Sequence, residues 1–356
     1  MKRNLRKIGV LTSGGDASGM NCAVRSVVRT ISAFGATPVA IDMGYKGLLE
    51  NSMRVMGPRD VSNILNRGGT VLYSDRCLEF ATEEGLAKAV KTCQEMEMDG
   101  IITLGGDGTF RGARDLTARG ISCIGVPCTI DNDITSTDYS VGYDTALNTI
   151  ISMVDRLRDT CESHARCNVV EVMGRGCGDL ALYAGLAVGA SAIVTKEIPF
   201  NEAELIHRML ESKAAGKRNF IVIVSENMGP TFAESLAAKI DHETGVETKF
   251  ARLAHVQRGG TPTFRDRSLA SQMGYKAVEL LFEGKENMVV CLRHDEVTAM
   301  DIDFALDLDR FHKGKMTEDD LKASFTAEQI AEMKAISAER KAETERVYRI
   351  NQTISI

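Results

Sequence analysis

The sequence predicts an α/β fold in which strands and helices alternate and the sheets are mainly parallel. Three observations carry this expectation. Short apolar runs with β-branched residues recur at 8–11, 38–41, 100–104, 121–126, 168–172 and 220–224, each bounded by Gly, Asp or other polar residues. Stretches with helical spacing lie between them, at 24–32, 83–96, 145–159 and 202–213. The alternation is that of parallel sheets covered by helices on both faces. A length of 356 residues suits two domains, or one large unit with insertions.

In chain order, the run at 8–11 leads through Thr12-Ser13-Gly14-Gly15-Asp16-Ala17-Ser18-Gly19-Met20-Asn21 into the helix at 24–32. Two adjacent glycines thus stand at a strand's carboxyl end, where helix-start amides favour an anion and no side chain blocks its approach. The spacing matches neither G-x-G-x-x-G nor the Walker pattern, so a phosphate cradle and a tight turn both fit. The run at 100–104 opens a second such element, Gly105-Gly106-Asp107-Gly108-Thr109. A carboxylate among phosphate-binding amides calls for Mg²⁺ between it and the ligand; the alternative is a turn aspartate that caps the helix. After the run at 121–126 comes Pro127-Cys128-Thr129-Ile130-Asp131-Asn132-Asp133. Its carboxylates bracket one residue, so one can act as a base and the other as its orienter, or the segment is an Asx turn. From Met316 the chain becomes rich in Glu, Lys and Ala, and Thr317 and Thr326 begin helix-start patterns. The reading there is one or two exposed helices with a solvated charged face.

Composition removes several classes. Hydrophobic residues make up 44% and charged residues 26%, which fits neither a disordered nor a fibrous chain. The net charge of -6 gives no positive field for nucleic acid, so an anionic ligand needs a local cluster. No apolar run approaches the roughly 18–20 residues of a membrane span, and Met1-Lys2-Arg3-Asn4 leads into a strand and not a signal peptide's apolar region. No membrane and no nucleic-acid partner is therefore expected, and the location expected is cytoplasmic. Nine cysteines without a C-x-x-C pair read as reduced thiols. Arg76, Arg166, Arg175, Lys249, Arg252, Arg258 and Arg265 are the basic residues that could meet a phosphorylated substrate, with His255 three positions before Arg258.

Seven ordered segments carry a resemblance to the 6-phosphofructokinase family, over residues 5 to about 310. They are Leu11-Thr12-Ser13-Gly14-Gly15-Asp16, Asn66-Arg67-Gly68-Gly69-Thr70, Gly105-Gly106-Asp107-Gly108-Thr109, Thr129-Ile130-Asp131-Asn132-Asp133, Glu171-Val172-Met173-Gly174-Arg175, Ser225-Glu226-Asn227-Met228 and His255-Val256-Gln257-Arg258-Gly259-Gly260. The resemblance implies Mg²⁺-dependent transfer of the ATP γ-phosphoryl group to the 1-hydroxyl of fructose 6-phosphate. It implies two similar α/β domains with the active site in a cleft between them: a larger nucleotide-binding domain, 1–142 with 255–306, and a smaller sugar-phosphate domain, 143–254 with 307–315. Residues 316–356 form a helical extension outside the resemblance.

The resemblance also implies roles. ATP is held by Gly15, Arg76, Cys77, Gly106, Asp107, Gly108 and Thr109, with Mg²⁺ on Asp107. Asp131 is the base, Thr129 and Asp133 orient it, and Arg175 stabilises the phosphoryl group in flight, with Gly15 also at the reacting centre. Fructose 6-phosphate meets Thr129, Ile130, Asp131, Met173, Gly174, Arg175, Glu226, His255 and Arg258, while Arg166 and Lys249 reach in from a neighbouring subunit. A homotetramer with shared active sites is implied, a homodimer being the alternative. The sequence departs from the family pattern at Ser18 (usually proline) and Lys249 (usually arginine). At the family's effector positions Arg25, Arg29 and Arg158 are in place, but Ser191 replaces an acid and Ala215 a lysine, leaving Lys217-Arg218. Weak nucleotide and phosphoenolpyruvate control is expected. A pyrophosphate-dependent enzyme and a catalytically silent regulatory or binding subunit are the alternatives. A lipid or NAD kinase shares the Gly-Gly-Asp-Gly-Thr loop but lacks the segment 129–133.

Overall fold

The computed structural model of the chain describes residues 4–355. Strand β1 (Lys7–Thr12) is buried from Ile8 onward and passes through a glycine turn into helix α1 (Met20–Ala33). β2 (Thr37–Ile41), α2 (Tyr45–Glu50), β3 (Met53–Val55), α3 (Glu83–Glu95), β4 (Gly100–Gly105), α4 (Asp107–Thr117) and β5 (Cys123–Pro127) follow. Helix α5 (Tyr143–His164) leads to β6 (Cys167–Val172), α6 (Asp179–Ala187), β7 (Ala192–Val194), α7 (Glu202–Ala214), β8 (Phe220–Ser225), α8 (Phe232–Thr244) and β9 (Thr248–Arg252). The chain then runs through α9 (Phe264–Phe282), β10 (Met288–Arg293), β11 (Glu296–Asp301), α10 (Ile302–His312) and α11 (Glu318–Leu321) to α12 (Ala327–Ile354).

Two units divide these elements. The first comprises Met1–Ile130, Ile134–Asp144 and Arg258–Ser337; the second comprises Asp131–Asp133, Thr145–Gln257 and Ala338–Ile356. In the first unit the strand order is β11-β10-β5-β4-β1-β2-β3, parallel except at its two edges. β4 and β5 are buried at every residue, which is why each reads as an unbroken apolar run. In the second unit four parallel strands lie in the order β7-β8-β6-β9. In each parallel array the carboxyl ends lie along one side, and the loops that leave them gather there.

The α/β expectation holds, and the structure adds elements the apolar runs did not announce. β10 and β11 form a hairpin whose two loop residues, His294 and Asp295, both have positive φ. That turn normally carries Asn-Gly or Asp-Gly, and without such a pair the hairpin was silent.

The tail forms two helices whose charged residues are mostly exposed, as expected, but it also buries an apolar stripe. Phe304 and Leu308 of α10 bury against Leu321, Ile330, Met333 and Ile336, and residues 307–315, expected in the smaller domain, pack with the first unit. Apolar residues at three- and four-residue spacing inside the charged tail supply that buried stripe. Farther along α12, Val347 and Asn351 are also buried.

Candidate functional site

In the first unit, three loops leave the carboxyl ends of β1, β4 and β5. Ser13 N donates to Leu104 O at 3.0 Å, Thr109 Oγ1 to Ser13 O at 3.1 Å, and Cys128 N to Gly105 O at 2.9 Å. These bonds hold Ser13–Gly15, Gly105–Thr109 and Cys128–Ile130 as neighbours. A Cβ at Gly105 would lie 2.3 Å from Thr109 Oγ1 and 2.4 Å from Ser13 O, so this approach requires glycine. Gly106 and Gly108 face open space, with no heavy atom within 4 Å of a built Cβ. Asp107 begins α4, mostly buried, and pairs with Arg111 one turn on.

Arg258 lies over the first loop. Its Nη1 donates to Asp16 O at 3.1 Å and would stand 2.6 Å from a Cβ at Gly15. Ser18 Oγ donates to Gly260 O at 2.9 Å, tying the loop to the Gly259-Gly260 turn with a hydroxyl where the family pattern has proline. Asn21 reaches the Asn66–Thr70 segment, donating to Arg67 O at 3.0 Å and accepting from Val71 N at 2.7 Å. Arg76 and Cys77 line a pocket of 290 Å³ with Lys46, Asp75 and Lys88. Ser74 joins that segment to Gly14 O at 2.5 Å. Thr129 O accepts from Ser140 Oγ at 2.7 Å. Burial pushes the Cys128 thiol well up, with Asp266 adding to the effect, so it remains a neutral thiol.

In the second unit, Asp131, Asn132 and Asp133 are buried at 4%, 2% and 9% exposure. Asn132 takes positive φ, which asparagine tolerates, and its amide donates to Asp179 Oδ2 at 2.9 Å. Met173–Arg175, Glu226 and His255 follow the carboxyl ends of β6, β8 and β9. Met173 N donates to Gln257 Oε1 at 3.2 Å, and Arg175 N to Glu226 Oε1 at 2.7 Å. Gly174 has φ 141°, and a Cβ there would meet Cys177 O at 2.2 Å.

Arg166 and Lys249 stand elsewhere in this unit. Arg166 precedes β6 and Met173 follows it, so the strand's length, about 20 Å at 3.3 Å per residue, separates them. Lys249 pairs in register with Asn168 and shares the amino end. Both cations converge on Glu247, with Arg166 Nε at 2.6 Å and Lys249 Nζ at 2.8 Å. Lys249 and then Arg166 hold the Glu247 carboxyl down at about 2.

Sequence reasoning did not single out Gln257, Asp179, Glu247 or Asp266. Asp266 is fully buried and accepts from Gly142 N at 2.8 Å, fixing the chain just before α5. Gln257 lies inside a quoted motif and could have been found there; the others carry no local signal.

Among the described residues no helix is long and apolar enough to cross a membrane, and no three His, Cys, Asp or Glu cluster as a metal site. Asp107 is the single carboxylate in the Gly105–Thr109 loop, and one carboxylate is a donor set compatible with Mg²⁺, which is commonly bound by one or two carboxylates together with substrate phosphates.

The phosphofructokinase family model matches residues 7–281. ATP-dependent 6-phosphofructokinase 1 of Clostridium perfringens is 48% identical over 306 residues, 86% of this chain and 95% of that protein. ATP-dependent 6-phosphofructokinase of Clostridium botulinum matches to the same extent. Among solved structures, phosphofructokinase from Saccharomyces cerevisiae superposes with a TM-score of 0.84 at 32% identity, over 98% of this chain. This chain spans half the length of that yeast chain. With six of the seven segments seated at strand ends, Asn66–Thr70 held in a loop by Asn21, and the family model covering most of the sequence, the chain belongs to the phosphofructokinase family.

Proposed function

We propose that this chain is an ATP-dependent 6-phosphofructokinase, a glycolytic kinase that moves the γ-phosphoryl group of ATP to the 1-hydroxyl of fructose 6-phosphate, giving fructose 1,6-bisphosphate and ADP. The observation that carries the reading is the buried segment Asp131-Asn132-Asp133, with two carboxylates in a turn fixed through Asn132. A carboxylate removed from water and fixed in direction suits the removal of a proton from a sugar hydroxyl.

In this reading Asp131 accepts the 1-hydroxyl proton, while Thr129 and Asp133 orient it. The amides of Gly15, Gly106, Gly108 and Thr109 meet the nucleotide phosphates, with Arg76 and Cys77 beside the phosphate chain. Arg175 offers its guanidinium to the charge that develops on the phosphoryl group, the electrostatic help such transfers need. Ile130, Met173, Gly174, Glu226, His255 and Arg258 hold the sugar phosphate. Asp107 would hold Mg²⁺, which when bound neutralises charge on the phosphate chain. ATP is favoured over pyrophosphate because Gly108 leaves open space and Cys128 supplies no cation.

The separation of Arg166 and Lys249 from Met173 along β6 supports a homo-oligomer, a tetramer or a dimer, in which these cations serve a neighbouring copy's site. The proposed location is the cytoplasm. A coupled assay with purified protein, Mg²⁺ and fructose 6-phosphate, run with ATP and with pyrophosphate, tests the reading. Turnover with ATP supports it; a larger specificity constant for pyrophosphate, or no turnover with either donor, overturns it.

A further inference from the structure

Helix α12 lies beyond the family match, which ends at residue 281, yet one of its side chains reaches the segment assigned to proton removal. Arg340 Nη2 donates to Asn132 O at 3.1 Å and pairs with Asp179 Oδ2 at 3.3 Å, the atom that also accepts from Asn132 Nδ2 at 2.9 Å. The guanidinium thus joins the Asn132 carbonyl to a carboxylate that in turn accepts from the side-chain amide of the same residue. The ion pair is well shielded, with Arg340 and Asp179 side chains 18% and 13% exposed.

The helix that carries Arg340 is itself held. Glu343, three residues on, accepts from Tyr183 at 3.0 Å, and Tyr183 lies one turn beyond Asp179 on α6. Toward its end Asn351 donates to Ala190 O at 3.3 Å and Arg208 to Gln352. Arg340 is therefore delivered by a docked helix and not by a mobile tail.

We infer that Arg340 is a positioning residue for the phosphoryl-transfer reaction: by bridging Asn132 O to Asp179 it fixes the direction in which Asp131 and Asp133 point. The inference rests on the reading of Asp131 as the base. Asn132 is the middle residue between the two carboxylates, and a rotation of its peptide planes swings both. Displacing a reacting group by about 1 Å costs on the order of 10² in rate. Both contacts come from Nη2, whose two N–H groups are fixed in the guanidinium plane, whereas an ammonium is a freely rotating point charge on a flexible stem.

The test compares the full-length wild type with Arg340→Met, Arg340→Lys and Tyr183→Phe. Tyr183→Phe removes a bond that docks α12 without touching the 131–133 segment. Steady-state rates with ATP, Mg²⁺ and fructose 6-phosphate are normalised to folded protein, and thermal midpoints are recorded. Arg340→Met should lower kcat about 10- to 100-fold, with KM for the sugar phosphate within about threefold, and Arg340→Lys should fall between it and wild type. Tyr183→Phe should keep kcat within about twofold. A merely structural role would lower the thermal midpoint or the folded fraction and leave kcat per folded molecule unchanged. Folded Arg340→Met with kcat within about threefold of wild type overturns the inference. Should Arg340→Met fail to fold, Arg340→Lys decides, and an unchanged kcat there overturns it equally. A wild type inactive with both donors sinks the functional reading instead. Hydrogen exchange of the 131–133 amides, expected to speed up in Arg340→Lys, then decides whether Arg340 orders the segment.

Discussion

The Arg175 N–H donates to Glu226 Oε1 at 2.7 Å while Arg175 itself holds a left-handed backbone conformation, φ 55°. A non-glycine residue in that region costs about 1–2 kcal/mol, and it persists because its surroundings fix it. The preceding Gly174, at φ 141°, allows the chain to double back toward Cys177. An arginine and a glutamate assigned to one site are thereby coupled through the backbone, so a change at Glu226 is expected to disturb Arg175 as well as the sugar.

Asp131→Ser is expected to lower kcat by at least about 10² to 10⁴ while sugar-phosphate binding stays within a few fold, because a missing base is felt in the transition state. Pre-steady-state and steady-state rates at saturating substrates check this. Retention of more than about a tenth of the wild-type rate would remove Asp131 from its role.

Arg166→Ala is expected to raise KM for fructose 6-phosphate strongly through loss of a charge-assisted contact. Mixed oligomers re-formed from Arg166→Ala and Asp131→Ser chains should recover some activity, since one site can then combine a sound copy of each residue. No recovery in verified mixed oligomers would count against sharing.

The Glu247 carboxyl lies below its ordinary value, at about 2. Its hold on Lys249 and Arg166 is therefore complete above the usual carboxylate range and is lost only as pH falls through about 2. Between pH 5 and pH 9, roughly, KM for the sugar phosphate should follow the second ionisation of the phosphate, near 6, with no carboxylate step. A Glu247→Gln variant with an altered KM–pH profile in this window would contradict the expectation.

Gly108→Asp is expected to depress turnover with ATP selectively, since a side chain and a negative charge would enter space now open beside the phosphate-facing loop. Specificity constants for ATP and pyrophosphate, measured on both proteins, decide it. Equal loss for the two donors would refute the steric argument.

Ser191, Ala215 and Lys217 line a pocket of 770 Å³ together with Gln352 and Ser355 of the C-terminal segment. Ser191 offers no carboxylate for a metal and Ala215 no ammonium for a phosphate, so ADP or phosphoenolpyruvate should shift half-saturating fructose 6-phosphate by less than about tenfold, roughly 1.4 kcal/mol of coupling. Titrations of each effector at fixed ATP measure the shift, and a larger one would overturn the expectation.

The sequence by itself determined the α/β class and the position of the glycine and aspartate loops beside the strands. Gly14-Gly15, Gly105-Gly106 and Asp131-Asn132-Asp133 each follow an apolar run within a few residues, and chain neighbours at a strand's end remain neighbours after folding. Local periodicity likewise announced α1, α3, α5 and α7, but not α6, α8, α9 or α10. Only the tertiary structure decided which distant residues meet. Asp179, Glu247 and Asp266 look like ordinary surface carboxylates in sequence, and their partners lie 47, 81 and 124 residues away. The tail shows the difference most directly. Its Glu- and Lys-rich composition reads as a solvated helix, because charge is visible residue by residue, whereas burial depends on what the helix lies against. Arg340 becomes a structural partner of Asn132 across 208 residues because α12 docks by Tyr183 and Ala190, a contact written in no local pattern.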